Sequence, residues 1–267
     1  MKEYDTIIIG GGIIGLSCGH YLSREKQRVL VLDTYEFGAG SSGACDDMIL
    51  LQSKKAGLVL ELAMESLEIY QQLGDELGMD LGYKQYGGMI LIENQRDFTI
   101  MEEFVRTQQA CGLNVRIIER EEVKRRQPNV NPRFFASTYS PDDAQVDPLL
   151  VMRGFIGSGK TLGMEVRYKE GVTGAAPAAS GGWEVLTRSG EKIKSQQVVI
   201  ASGAWSDKVG RFFGIEVPII PKRGQLLITE KIPPVGETNL WSAEYLVTKL
   251  RPDVARASAA DPVHAAL

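Results

Sequence analysis

Histidine is almost missing from this 267-residue chain, which has only His20 and His264. Catalysis by a Ser–His–Asp arrangement and a His-rich metal centre are therefore disfavoured. His20 falls within the first helical pattern and reads as a packing or surface residue. Cysteine is also scarce. Cys18, Cys45 and Cys111 are odd in number and far apart, which argues against a disulfide framework or a zinc site, so no metal is expected. Long apolar runs are lacking. The stretch at 7–16 is short and broken by glycines, so it is neither a membrane span nor a signal-peptide core, and the expected location is the cytoplasm. Basic residues do not dominate either. The net charge is −4, which gives no electrostatic footprint for a nucleic acid. What remains is an ordinary globular composition, 43% hydrophobic and 24% charged, long enough for one large or two smaller domains.

Glycine, by contrast, is placed with purpose. Thr6, Ile7, Ile8 and Ile9 read as a buried parallel strand that breaks at Gly10, Gly12 and Gly15, and a helical pattern follows from Leu16 to Arg24. Gly10 suits the tight turn, Gly12 the approach of a pyrophosphate, and Gly15 close packing of helix on strand. The helix N-terminus then offers free N–H groups and a positive dipole end to phosphates. A second apolar strand, Val29 to Leu32, ends in Asp33, roughly 20 residues after the glycines, where a carboxylate accepts from an adenosine ribose. Together these imply a dinucleotide site, against the plainer alternative of a glycine turn with a chance acid. Thr34 to Cys45 is rich in small residues and suits a second pass over phosphates, or else a flexible surface loop.

The middle of the chain reads as alternating elements. Helices are expected over 57–77 and 97–111, with a charged helical turn over 119–126. A turn and strand are expected over 87–92, and strands over 115–118 and 134–139. Asp147 is placed to cap a helix that opens on Pro148. The adjacent acids Asp142 and Asp143 read as turn chemistry. Gly154 to Thr161 matches a phosphate-binding loop in letters, but its glycines fall inside the helix that Pro148 opens, where that motif has no meaning. A polar hairpin over 183–194 precedes Val198, Val199 and Ile200, a buried parallel strand ending in Ala201, Ser202 and Gly203. Ser206 is placed to cap a helix over 207–213. Strands are expected over 222–229 and 241–249, and residues 251–267 read as an irregular tail.

In this order the pieces resemble the flavin-dependent amine and amino-acid oxidoreductases of the D-amino-acid oxidase, glycine oxidase and sarcosine oxidase type. The segments that carry the resemblance are 7–15, Asp33, 41–44, 87–89, 147–148, 171–172, 199–205 and 221–225. It implies an α/β fold with a Rossmann-like FAD-binding domain that is discontinuous in sequence, over 1–82 and 145–216. A smaller α+β substrate domain, with an incomplete antiparallel sheet, would take 83–144 and 217–250.

The implied cofactor is FAD. Gly10, Gly12 and Gly15 would hold its pyrophosphate, and Asp33 its adenosine ribose. Ser41 and Ser42 would serve the phosphate and ribityl side, the Val172 backbone the adenine, and Ser202 and Gly203 would close over the nucleotide. Ile13, Ile14, Leu32, Gly43, Ala44, Ala201 and Trp205 complete the candidate set. Members commonly carry glutamate at the place of Asp33 and glycine at that of Asp47. A NAD-dependent dehydrogenase is disfavoured by the serine-rich loop and by the strand ending at Ala201.

The implied reaction oxidises the C–N bond of a small amine or amino acid (glycine, sarcosine, a D-amino acid or a proline-like substrate). A hydride passes from the substrate α-carbon to flavin N5, and water hydrolyses the imine. No proton-abstracting side chain is required if the amine binds neutral. Tyr245 matches a tyrosine that lines the substrate pocket of glycine oxidase-like members; otherwise it is a strand tyrosine on a sheet face. Relatives continue with more antiparallel sheet, an arginine for the substrate carboxylate and a glycine-rich segment beside the flavin ring. The resemblance ends at Lys249, and neither Arg223 nor Arg251 takes that arginine's place. The resulting expectation is a shortened chain that holds FAD weakly and turns over poorly. The alternative is the flavin-binding subunit of a multi-chain amino-acid dehydrogenase, with a homo-oligomer or partner subunit left open.

Overall fold

A computed structural model describes residues 3–233 and 235–250. The chain opens with β1 (Glu3–Ile9), α1 (Ile13–Arg24), β2 (Val29–Leu32), β3 (Met48–Ile49) and α2 (Leu58–Leu77). It continues through β4 (Gly88–Ile92), α3 (Gln95–Ala110), β5 (Arg116–Glu119), α4 (Arg120–Arg126), β6 (Ala136–Ser140) and β7 (Ala144–Gln145). Then come α5 (Pro148–Thr161), β8 (Glu165–Arg167), β9 (Val172–Pro177), β10 (Trp183–Thr187) and β11 (Lys192–Ile200). The last described elements are α6 (Ser206–Phe212), β12 (Asn239–Ser242) and α7 (Ala243–Leu250).

These elements gather into two compact units, one of residues 1–47, 73–82 and 147–228, the other of 48–72, 83–146 and 229–267. The first is built on a six-stranded sheet of order β8-β2-β1-β11-β10-β9. Its β8, β2, β1 and β11 run parallel, while β10 is antiparallel to both of its neighbours. The central strands, β2 and the second half of β1, are apolar on consecutive residues because both of their faces are buried. Ile7, Ile8 and all of Val29 to Leu32 are fully buried. The polar hairpin and the later buried strand of the sequence are one structure. β11 is a nine-residue strand whose first half, from Lys192 to Ser195, pairs with β10 and whose residues from Lys194 on pair with β1, from Glu3–Lys194 to Ile9–Ile200. Tyr4, Ile7, Ile9, Leu30, Leu32, Val185, Ile193 and Val209 form the core of one face.

The helix α5 contains the whole Gly154 to Thr161 match and is capped as the sequence predicts. The Asp147 carboxylate accepts from the N–H of Leu149 at 2.8 Å and of Leu150 at 3.1 Å, and Pro148 is the first helical residue. Its glycines are packing sites. A methyl on Gly154 would come within 2.8 Å of Leu77 Cδ1, and one on Gly159 within 2.3 Å of Met164 Cε.

The second unit carries a four-stranded sheet of order β12-β4-β6-β5, with β12 parallel to β4 and the other pairs antiparallel. A short β3-β7 pair stands apart from it. One cluster of Ile90, Ile92, Met101, Phe104 and Leu246 forms under the sheet, and a second joins Leu51, Leu60, Leu67, Val105 and Val115.

Several expectations are corrected. Residues 48–72, expected in the nucleotide domain, lie in the second unit because Leu60 and Leu67 of α2 bury against Leu51, Val105 and Leu113. Residues 145–146 also go with the second unit, through the β3-β7 pair, and 217–228 with the first. Trp241 to Lys249 is not one strand. It turns from β12 into α7 at Ala243, since Ala243, Leu246 and Val247 recur at helical spacing and bury one face. Residues 222–229 form no strand, for no neighbouring strand pairs with them among the described residues. Ser206 is the first residue of α6 and not its cap; its hydroxyl accepts from Ser202 at 3.3 Å. The tail over 251–267 lies outside the described residues.

Candidate functional site

Four parallel strand ends, those of β8, β2, β1 and β11, are tied together where β1 runs out. Gly10 N–H donates to Leu32 O at 2.8 Å, Ala201 N–H to Ile9 O at 2.8 Å, and Asp33 N–H to Arg167 O at 3.0 Å. The sheet bonding thus extends one residue past the regular strands. The price of this is that only glycine fits at the bend: Gly10 has φ +122°, and a Cβ there would lie 2.2 Å from Ala201 O. Gly15 is equally constrained, since its Cβ would lie 1.9 Å from Gly10 O. The first of these glycines lets β11 approach the turn, and the last lets α1 begin directly beneath it.

The middle of the turn is held by side chains. Asp33 Oδ2 accepts from Gly11 N–H at 2.7 Å, and its Oδ1 accepts from Tyr35 N–H at 2.8 Å. Each carboxylate oxygen keeps a further lone pair. Tyr168 donates its hydroxyl to Gly11 O at 3.2 Å. Burial and the nearby Asp33 charge push that phenol up to about 12, so it stays protonated and remains a donor. Ser42 Oγ accepts from Ile13 N–H at 3.0 Å, which docks the serine turn of residues 41–43 on the start of α1. Among the described residues no acceptor meets the N–H groups of Gly12, Ile14 and Gly15. These are the donors that a helix start leaves for an anion.

A pocket of about 410 Å³ opens over this turn, within the roughly 300–1,000 Å³ usual for small-molecule and cofactor sites. Of the candidates read from sequence, Gly10, Gly12, Ile13, Ile14, Leu32, Asp33, Ser41, Ser42, Val172, Ala201, Ser202, Gly203 and Trp205 line it. Gly15, Gly43 and Ala44 do not: Gly15 sits beneath the turn, and the other two belong to the outer end of the serine loop. Val172 opens β9, the edge strand, whose outer backbone groups face no neighbouring strand. Tyr245 is not at this pocket. It lies on α7 in the second unit, half exposed, with its ring edge-on to Trp241 at 5.7 Å and Lys249 Nζ over its face at 4.1 Å.

Sequence reading missed several residues here. Tyr35 lines the pocket and meets the expected Trp205 with ring centroids 5.4 Å apart. Lys208, Met152 and Phe212 line it as well, and Tyr168 braces it from below. A signal existed only for Lys208 and Phe212, which follow Trp205 at three- and then four-residue spacing along one face of α6. Asp47, at the place of a family glycine, has φ +60°. The backbone there holds the left-handed conformation that favours glycine, although an acid occupies it.

The family model described as FAD dependent oxidoreductase matches residues 5–259. The chain belongs to that family. The match reaches past Lys249, where the resemblance was expected to end, into residues outside those described. Members similar to this chain include rat (Rattus norvegicus) mitochondrial dimethylglycine dehydrogenase, 28% identical over 86% of this chain and 27% of its own. Glycine oxidase of Bacillus licheniformis is 28% identical over 85% of this chain and 61% of its own. Among solved structures, glycine oxidase from Geobacillus kaustophilus superposes with a TM-score of 0.81, covering 91% of this chain and 66% of its own at 23% identity. The chain thus spans about a quarter to two thirds of the length of these family members. Among the described residues no helix is long and apolar enough to cross a membrane.

Proposed function

We propose that this chain forms the FAD-holding part of an oxidoreductase that oxidises the C–N bond of a small amine or amino acid. The observation that carries the reading is the convergence of the glycine turn, Asp33 and the Ala201–Trp205 segment on one pocket at the carboxyl ends of β1, β2 and β11. The residues present fit the cofactor. The free N–H groups of Gly12 and Ile14, which line the pocket, suit its pyrophosphate, and the outer lone pairs of Asp33 suit two ribose hydroxyls. Ser42 steadies the start of α1, and the edge backbone at Val172 suits the adenine rim. Lys208 adds positive charge at the pocket wall, while Tyr35 and Trp205 shield it from water. When bound, the flavin supplies the two-electron acceptor for amine oxidation.

The substrate class is supported by two family members, glycine oxidase and dimethylglycine dehydrogenase, both named for small free or N-substituted amino acids. A second reading, a flavin-bearing subunit completed by another polypeptide, is favoured by one relative that is itself named a subunit, of hydrogen cyanide synthase. The test is an absorption spectrum of the purified chain with added FAD, followed by anaerobic addition of glycine, sarcosine, dimethylglycine and D-alanine. Flavin absorbance retained through gel filtration and bleached by one of these supports the reading. Retained flavin that none of them bleaches supports the subunit reading, and no retained flavin in a folded chain refutes both.

A further inference from the structure

The loop after Asp33 carries two aromatic rings, Tyr35 and Phe37, and only Tyr35 lines the pocket. Phe37 packs edge-on to Tyr168 at 6.0 Å, with the Arg153 guanidinium over its face at 5.7 Å. Tyr35 stands beside Trp205, the two ring planes tilted by 46°. The backbone on either side of Tyr35 is fixed. Its N–H donates to Asp33 Oδ1 at 2.8 Å, and its carbonyl accepts from Lys169 N–H at 3.1 Å. The Lys169 ammonium closes the same loop by pairing with Glu36 at 2.5 Å. Trp205 is held from the other side, where its N–H donates to Ser202 O at 3.0 Å.

Two large rings are thus presented to a cavity by anchored backbone and are left without a side chain to cover them. Tyr35 is 48% and Trp205 40% exposed although they touch each other, and both border the pocket. The rest of the pocket wall divides by chemistry. The free N–H groups at the start of α1 take any phosphate, and the outer lone pairs of Asp33 take any ribose. The backbone edge at Val172 meets only the rim of a base. None of these offers a plane for a base to lie on, and the aromatic pair does. Aromatic side chains hold bases by stacking, and removing one such ring weakens binding by about five- to a hundredfold.

We propose that Tyr35, backed by Trp205, is the base-selecting residue of the pocket: its ring stacks on the base of a dinucleotide. The pocket thereby prefers a ligand with a base beyond its pyrophosphate, such as ADP or FAD, to one that ends at its phosphates, such as FMN or pyrophosphate. This rests on the dinucleotide reading of the pocket and adds to it the side chain that chooses among phosphate ligands. Stacking uses the ring and not the hydroxyl, so phenylalanine serves at this position as well as tyrosine.

The test is calorimetry of the full chain with ADP, and with inorganic pyrophosphate as a competitor of ADP, for the parent, Tyr35→Ala and Tyr35→Phe. The quantity compared is the preference for ADP over pyrophosphate, because a ring that merely shaped the turn would change both affinities together. That preference should fall about five- to a hundredfold in Tyr35→Ala and stay at the parent value in Tyr35→Phe. An unchanged preference in Tyr35→Ala overturns the proposal and leaves the dinucleotide reading standing. A preference lost equally in Tyr35→Phe also overturns it, since the hydroxyl would then be the contact. A parent chain that binds no ADP overturns the proposal and the dinucleotide reading together.

Discussion

Asp33 gives the sharpest forecast, because one carboxylate is asked to do two separable things. It shapes the glycine turn by accepting from Gly11 and Tyr35 N–H at 2.7 and 2.8 Å, and it leaves lone pairs for a ribose. In Asp33→Asn the side chain can accept only through its single oxygen, so one of those two N–H groups faces an NH2. A hydrogen bond to a charged group is worth about 1.5–3 kcal/mol, and an N–H left unpaired costs about 1–3 kcal/mol. Taking about 2 kcal/mol for the partly solvated turn, the melting temperature falls by roughly 4–8 °C for a chain of this size, even without ligand. ADP, which carries the same ribose and pyrophosphate as the cofactor's nucleotide half, should bind about ten- to a hundredfold more weakly by calorimetry, equivalent to about 1.4–2.8 kcal/mol. Asp33→Asn that binds ADP poorly but melts like the parent would refute the structural role. Lower stability with unchanged ADP affinity would refute the ribose role.

Three other outcomes can be checked quickly. Asp143 is buried and pushed up to about 6, first by desolvation and against hydrogen bonds from Gln52 and from the Leu51 and Gln52 N–H groups. Because the folded state holds this proton more tightly than the unfolded one, its contribution is fully present below about pH 4 and lost as pH rises through about 6. The loss is at most ~3 kcal/mol, and urea midpoints that decline between pH 4.5 and 7 in the parent should flatten in Asp143→Asn. Asp47→Gly relieves a left-handed acid and should raise stability by about 1 kcal/mol, read as a higher urea midpoint at unchanged slope. Lys160→Ala should leave ADP affinity unchanged, whereas Gly159→Ala, forced against Met164 Cε at 2.3 Å, should cost about 1–3 kcal/mol in denaturant titration.

How much could be read beforehand depended on whether the information was local. The spacing of Gly10, Gly12 and Gly15, the acid after β2 and the Asp147–Pro148 cap are decided by near neighbours, and each falls where its chemistry requires. The convergence of Ala201 on Ile9 was legible because buried parallel strands ending in small residues have few places to go. Other features answered to distant partners. Tyr168 matters only because Gly11 O is within reach, and no local pattern announces that. Asp143 sits beside Asp142 in what reads as a turn, yet it is sealed under Gly88 and bonded to Leu51 and Gln52. In α7 the strand-favouring Tyr245, Val247 and Thr248 masked a helical stripe of Ala243, Leu246 and Val247, and burial of that stripe decided the outcome.

The pairing of Ile9 with Ile200 also sets a timetable. During synthesis at about 5–20 residues per second, the first strand leaves the ribosome on the order of ten seconds or more before the strand that must lie beside it. Through that interval a strand ending in Ile7, Ile8 and Ile9 offers the cell an open hydrogen-bonding edge. The turn over which the pocket opens is therefore closed only once β11 has been made, and a chaperone that shelters nascent β1 and β2 should raise the yield of assembled protein more than one acting after β11 has emerged.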